Sequence, residues 1–472
     1  MTKSDDEIRI LPDEPEDEPT AEFNRYAEII SDIIKSSKPN FSVGVYGDWG
    51  TGKTTLLKNI KKKIDDEQDS KNQKIITIWF NAWRYEREDQ FALVALMKTI
   101  AYGISGYKKY KTLFEKIKHG SQIVSVSAGE KILEDSLLTS NGIKKLENLI
   151  TKKIDLLDAL TQSTIYYDGL RNIENELSKI TKDDESRIIV FIDDIDRCSP
   201  KKALEVLESI KVFLGMEGFV YVVGLSHQTL IKLISSAYFQ NDISGENYIK
   251  KIIQIPIHLP VWIKQDLENL IDTQLSDKLK KHSKFIQENK SIISSCIELN
   301  PRELKQFINN LILTIEVFFG KDIERQKINK VDLLLAEAIK HRWYYLYLRY
   351  SVDEDFRKII NTLPRIKFPK DGNDLEQSKK IIKFPLEVSK DIKKQLEPVY
   401  SNLVQISESD RSLLLLNLNE SFWNFLKIPG ILPKLDKLDW KYYRKVTETI
   451  KKIPTLDNTQ ITPENLFTEY LS

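Results

Sequence analysis

Gly47-Asp48-Trp49-Gly50-Thr51-Gly52-Lys53-Thr54 is the stretch that decides the fold. It fits G-x-x-x-x-G-K-[ST], the pattern of a loop that wraps phosphate. Its flanks agree with that reading. Phe41–Tyr46 (F-S-V-G-V-Y) reads as a short buried strand, and Leu56, Leu57, Ile60 and Ile64 fall on one side of a following helix. Glycines let successive backbone N–H groups turn toward one anion, in conformations closed to residues with a Cβ. The helix start adds its dipole. Lys53 places a cation on the β- and γ-phosphates, and the Thr54 hydroxyl ligates Mg2+. The expected nucleotide-binding set is Gly47, Asp48, Trp49, Gly50, Thr51, Gly52, Lys53, Thr54 and Thr55. The competing reading is a glycine turn with an exposed lysine, and it explains neither flank.

Outward from the loop, strand signals recur at Lys74–Phe80, Arg187–Ile192, Phe219–Leu225 and Ile252–Leu259. Helical patterns alternate with them, which argues for a mostly parallel α/β sheet. The second of these runs, through Ile188–Ile192, ends in Asp193 and Asp194. An apolar strand whose buried end opens on a carboxylate is what a Walker B site needs. Asp193 is expected to hold Mg2+ through water, and Asp194 to polarise the attacking water. The alternative for the pair is a cap on the next helix. Asp is one methylene shorter than the Glu often found there, so slow hydrolysis is expected. Arg197 follows, either acting on a phosphate or partnering Asp196, and Ser199-Pro200 reads as a helix start. Phe80-Asn81-Ala82-Trp83-Arg84-Tyr85 reads mainly as aromatic packing, with Asn81 and Arg84 near the nucleotide as the other reading.

Length and composition bound the rest. A chain of 472 residues suggests about three domains. With 71 basic and 70 acidic residues there is no general nucleic-acid footprint. Cys198 and Cys296 are the two cysteines, which suits a reducing, cytoplasmic compartment, and the five histidines lack metal-ligand spacing. Residues 1–20 read as a solvated acidic tail, with an interaction arm as the other possibility. Phe91–Tyr107 is shorter than the ~20 residues of a membrane span and contains Lys98, so no span is expected. Ile29, Ile30, Ile33 and Ile34 mark a helix over about 21–36. Two amphipathic helices are expected around 143–157 and 170–180. The domain reading is an acidic tail (1–20), a nucleotide core (21–260) with a helical insertion at about 91–185, a helical lid (261–345) and a C-terminal helical domain (346–472).

Together G-D-W-G-T-G-K-T-T, F-N-A-W-R-Y, V-F-I-D-D-I-D-R-C-S-P, N-Y-I-K-K-I-I-Q-I-P-I-H-L-P and N-P-R-E-L-K-Q-F-I-N resemble the KAP family of P-loop NTPases, in that family's order, from Phe41 to about Asn310. The resemblance implies a five-stranded parallel core of the additional-strand type, related to AAA+ and STAND ATPases, followed by helical domains. It implies that Arg302 is a sensor reaching back to the nucleotide; the residues alone suggest a capped helix with an exposed arginine. Two departures stand out. Many members carry membrane-spanning helices between F-N-A-W and the Walker B strand, where this interval is charged and amphipathic. Members tend to have Asp after the fourth strand, where this chain reads Gly224-Leu225-Ser226-His227. Bacterial members are associated with phage exclusion and defence, often beside an effector.

The function expected is an ATP- and Mg2+-dependent NTPase acting as a molecular switch or assembly platform, with Lys53, Asp194, Arg197 and Arg302 as catalytic residues and Thr54 and Asp193 at the metal. A protein effector or partner is expected, and a homo-oligomer is left open. One alternative is a nucleotide-gated scaffold with little turnover. Another is a nucleic-acid-associated ATPase using Lys340–Tyr345 and Lys441–Lys445, where core packing is the favoured reading.

Overall fold

Five apolar runs become five strands because each can bury Val, Ile and Phe on a sheet covered from both sides. They are β1 (Phe41–Tyr46), β2 (Ile75–Asn81), β3 (Arg187–Asp193), β4 (Phe219–Leu225) and β5 (Ile255–His258). The computed structural model describes residues 8–15, 21–67, 74–86, 92–105, 174–175, 178, 186–237, 245–319, 329–368 and 373–451. All neighbouring strands run parallel, in the order β2-β3-β4-β1-β5. The central strands β3 and β4 are buried at every residue, whereas β2 at the edge alternates. β5 is shorter than the sequence suggests, because Ile252 and Ile253 turn back to bond the carbonyl of Ile249. Pro256 is accommodated because β5 is the other edge.

One face of the sheet carries α1 (Ala21–Ser36) and α2 (Lys53–Asp66), which pack together. The other carries α3 (Ala92–Ser105), α4 (Pro200–Leu214), α5 (His227–Ala237) and α6 (Gly245–Lys250). In α1 the buried side is Phe23, Ala27, Ile30 and Ile34, and Ile29, expected inside, is exposed. The end of α1 is fixed by the buried Arg187, which donates to the carbonyls of Ile34 and Ser37 at 2.5 and 2.8 Å. A cation on the last carbonyls also suits the helix dipole. α3 belongs to the core rather than to an insertion. Its Gly103 lies so close to β2 that a Cβ would meet Ile78 Cγ1 at 2.8 Å. The paired helices expected around 143–157 and 170–180 lie outside the described residues, apart from 174, 175 and 178.

The chain divides into two compact units, Glu14–Val261 and Met1–Asp13 with Trp262–Ser472. The second is helical among the described residues. Its longest helix, α7 (Pro301–Phe319), packs on α8 (Lys330–Arg342), which packs in turn on α9 (Tyr344–Tyr350). α10 (Trp440–Lys451) closes on them, with Tyr443 stacked on Phe318 at 5.7 Å and its hydroxyl donating to the buried Glu337 at 2.6 Å. The boundary expected at 345/346 therefore runs through one packed unit.

The acidic tail also needs correction. Leu11 is buried in this second unit, where its N–H donates to Asn309 Oδ1 at 2.7 Å and its carbonyl accepts from Asn309 Nδ2 at 2.8 Å. Leu11 ties this segment down at one point, whereas its neighbours from Ile8 to Glu14 remain exposed. Among the described residues no helix is long and apolar enough to cross a membrane.

Candidate nucleotide site

The parallel register brings the ends of the strands together. Asn81 lies opposite Asp193, and Tyr46 lies opposite both Leu225 and His258. Everything that follows a strand thus emerges along one carboxyl edge, where open α/β sheets bind ligands.

The phosphate loop leaves β1 there and enters α2 at Lys53. Gly50 and Gly52 adopt positive φ, 77° and 105°, which only glycine takes up without strain. Space is restricted as well: a Cβ on Gly52 would meet the Phe23 ring at 2.8 Å, and one on Gly47 would meet Thr51 Oγ1 at 2.7 Å. Lys53 is buried inside the loop. Its ammonium donates to the carbonyls of Gly47 and Asp48, each at 3.0 Å, and lies 3.5 Å from Asp196 Oδ2. That oxygen accepts no hydrogen bond among the described residues.

Thr54 Oγ1 donates to Asp193 Oδ2 at 2.8 Å. Asp193 is buried, and burial together with the neighbouring Asp194 charge pushes its carboxyl up to about 6. Asp194 sits at φ 60°, an uncommon backbone for a residue with a Cβ, as the chain turns from β3 into the 3-10 turn Ile195–Arg197. Both of its oxygens are engaged. Oδ2 accepts from Asn81 Nδ2 at 2.8 Å, and Oδ1 lies 2.7 Å from Arg197 Nε. Asn81 is held in turn by its own Oδ1, which accepts from the Arg84 N–H at 3.2 Å and caps the 3-10 turn Ala82–Tyr85.

The residues fit a nucleotide with a divalent cation. Lys53 is a buried cation held by the loop's own carbonyls and facing Asp196, and Asp193 is a buried carboxyl resisting ionisation without a cation. Among the described residues no cluster of three or more His, Cys, Asp or Glu forms a metal cage. Thr54 and, through water, Asp193 would hold the cation beside the phosphates.

Most residues singled out in the sequence meet here: the loop from Gly47 to Thr55, Asp193, Asp194 and Arg197. Arg197 pairs with Asp194, not with Asp196, because the 3-10 turn brings residues three apart together. Asp196 points to Lys53 instead. Cys198 is a buried thiol, raised to about 12 mainly by burial. α4 begins at Pro200 after Ser199, and Ser226 bonds Thr229 at 2.9 Å at the start of α5. The F-N-A-W cluster divides: Phe80 and Ala82 are core, Trp83 is exposed, and Asn81 reaches the site. Two features escaped sequence reasoning. One is the Asp196–Lys53 pair, hinted at by the third acid in D-D-I-D. The other is the stack of Tyr46 on His227, ring centroids 4.8 Å apart, which no spacing could signal.

Arg302 belongs to the second unit, where its Nε donates to Asp13 Oδ1 at 2.9 Å. The basic-aromatic stretch there is neutralised. His341 lies 3.1 Å from Glu303, Arg342 2.7 Å from Glu298 and Lys340 3.1 Å from Glu337, while Trp343 and Tyr347 are core.

Comparison with known proteins identifies the family. The model of the KAP family P-loop domain matches residues 23–318. The phage T7 exclusion protein of Escherichia coli K12 is 25% identical over 315 residues, which cover 61% of this chain and 41% of that protein. The human kinase D-interacting substrate of 220 kDa is 27% identical over 79 residues, 16% of this chain and 4% of that one. The chain thus spans less than half the length of these curated relatives. Among solved structures, the Aeropyrum pernix ORC2 protein in ADPNP–ADP complexes aligns over 88% of this chain and 96% of its own, at 12% identity and a TM-score of 0.38. With the phosphate loop, the paired aspartates and the sheet order in place, and a family match over more than half of its length, the chain belongs to the KAP family of P-loop NTPases.

Proposed function

We propose that this chain binds and hydrolyses ATP with Mg2+ and uses the cycle as a molecular switch. The observation that carries the reading is the buried pair Lys53 and Asp193 beneath a glycine cradle, with Thr54 bonded to Asp193 and Asp194 beside it. Backbone N–H groups of residues 47–55 would bind the phosphates, and Lys53 would exchange the carbonyls of Gly47 and Asp48 for phosphate oxygens. When bound, Mg2+ supplies positive charge that neutralises the transferring phosphoryl group, held by Thr54 and through water by Asp193. Asp194 would orient and polarise the attacking water once its oxygens leave Asn81 and Arg197. Arg197, then unpaired from Asp194, would stabilise charge on the phosphoryl oxygens, and Arg302 would act as the lid's sensor.

The name of the Escherichia coli relative supports a role in anti-phage defence for the switch, with a protein effector as partner. The test is ATP turnover of the parent chain beside Lys53→Ala and Asp194→Asn, with phage-plating efficiency of Lys53→Ala as its cellular arm. Turnover should fall about 100-fold or more in both variants, since each removes charge stabilisation or water activation. Equal turnover in all three chains would sink the assignment. The double engagement of Asp194 favours a second reading, a nucleotide-gated scaffold with little turnover. That reading requires tight ATP binding without phosphate release in the parent chain.

A further inference from the structure

Two tryptophans at the carboxyl edge are exposed with an arginine beside both. Trp49 is in the phosphate loop and Trp83 is in the 3-10 turn after β2, and they are 59% and 52% exposed. The other five of the chain's seven tryptophans are buried or half-buried. The guanidinium carbon of Arg197 lies 5.7 Å from the Trp49 ring centroid and 5.8 Å from that of Trp83, within the range at which a ring face attracts a cation. Its Nε stands 2.7 Å from Asp194 Oδ1 but is not aligned for a hydrogen bond. A close pair without hydrogen-bond alignment does not fix the direction of the guanidinium. Two ring faces do, because a planar cation beside two indoles has little room to rotate.

We propose that Trp49 and Trp83 are positioning residues: they clamp Arg197 onto Asp194, and Trp49 makes the phosphate loop itself the part that loosens the clamp. The proposal rests on the reading of Asp194 as the water-polarising group. The coupling follows from the chain. Trp49 lies between Gly47 and Lys53, in the backbone that must wrap the phosphates, so an anion entering the loop acts directly on the residue that holds Arg197. Release of Arg197 removes the charge that neutralises Asp194 Oδ1 and leaves Asn81 as the remaining partner of the carboxylate described above. An exposed tryptophan in a phosphate loop then has a physical reason to be there: its ring binds a cation that the carboxylate just after β3 needs to lose.

The experiment is a double-mutant cycle on the full chain, with one readout that needs no turnover. Trp49→Leu removes one ring and should raise turnover at saturating ATP about fivefold, the value of one exposed ring–cation contact. The same change in an Arg197→Gln background should lose that gain, because the cation held by the ring is no longer there. Without nucleotide, Arg197→Gln should increase the share of tryptophan emission quenched by acrylamide, because the two exposed indoles lose their cover. Equal Trp49→Leu effects in both backgrounds would overturn the clamp, as would unchanged quenching. Failure of the underlying reading looks different: Asp194→Asn would then leave turnover intact. If Asp194→Asn abolishes turnover while the cycle is additive, the clamp alone falls.

Discussion

Asp193 shows how one residue ties folding to chemistry. Its carboxyl would titrate at 3.8 in a free chain and titrates at about 6 here, chiefly because it is buried and faces Asp194. Between those values the folded chain holds a proton that the unfolded chain releases. The fold therefore keeps this stability below about pH 4 and loses it as pH rises through about 6. In protein free of nucleotide and magnesium, Asp193→Asn should melt at a higher temperature than the parent at about pH 8, and the two should converge below about pH 4. A difference that stays constant with pH would show that burial of the charge is not its cause. The sequence made Asp193 and Asp194 legible as a pair. It left their division of labour open, because that depends on Asn81 and Arg197, which reach Asp194 only when β2, β3 and the 3-10 turn are assembled.

At the scale of elements, the site depends on how closely α2 approaches the sheet. Gly224, next to last in β4, makes room for it: a Cβ there would meet Leu57 Cδ1 at 2.7 Å and Asp193 Oδ1 at 3.2 Å. Gly224→Ala should cost about 1–3 kcal/mol, the usual penalty of overpacking, read as a lowered denaturant midpoint with unchanged slope. An unchanged midpoint would mean that α2 can shift away freely. Strand and helix identities were legible because buried parallel strands are nearly continuous apolar runs. Ends were less so. β5 starts three residues later than its apolar run and Ile29 of α1 points outward, since periodicity marks a face only to within a few residues. α3 looked like part of an insertion because only its partner strand β2 shows that it is core.

At the scale of the whole molecule, described residues far apart in sequence share a unit. Residues up to Asp13 cluster with Trp262–Ser472, and the described anchor is Leu11 on Asn309 of α7. Leu11→Asp should destabilise that unit by about 2–3 kcal/mol, since it replaces a buried apolar side chain by a charge without a partner. Urea unfolding followed by helix content would detect it, and an unchanged curve would mean that the segment adds nothing. Asp13 on Arg302 is an exposed pair and is worth little by itself, about 0–1 kcal/mol. Composition hid the anchor, because one leucine in an acidic run is invisible to averages.

The sequence by itself determined the phosphate loop, the acidic strand end, the order of strands and helices and the family, because these depend on local residue order and on periodic burial. Tertiary structure decided which polar groups meet. Lys53 turned to Asp196, Arg197 to Asp194 and two tryptophans, and Leu11 to Asn309. Each of these contacts joins residues brought together by packing or by a turn whose geometry the pattern does not encode. The glycine loop ending in lysine and threonine is thereby more than a phosphate cradle: its tryptophan reaches the arginine paired with the neighbouring carboxylate.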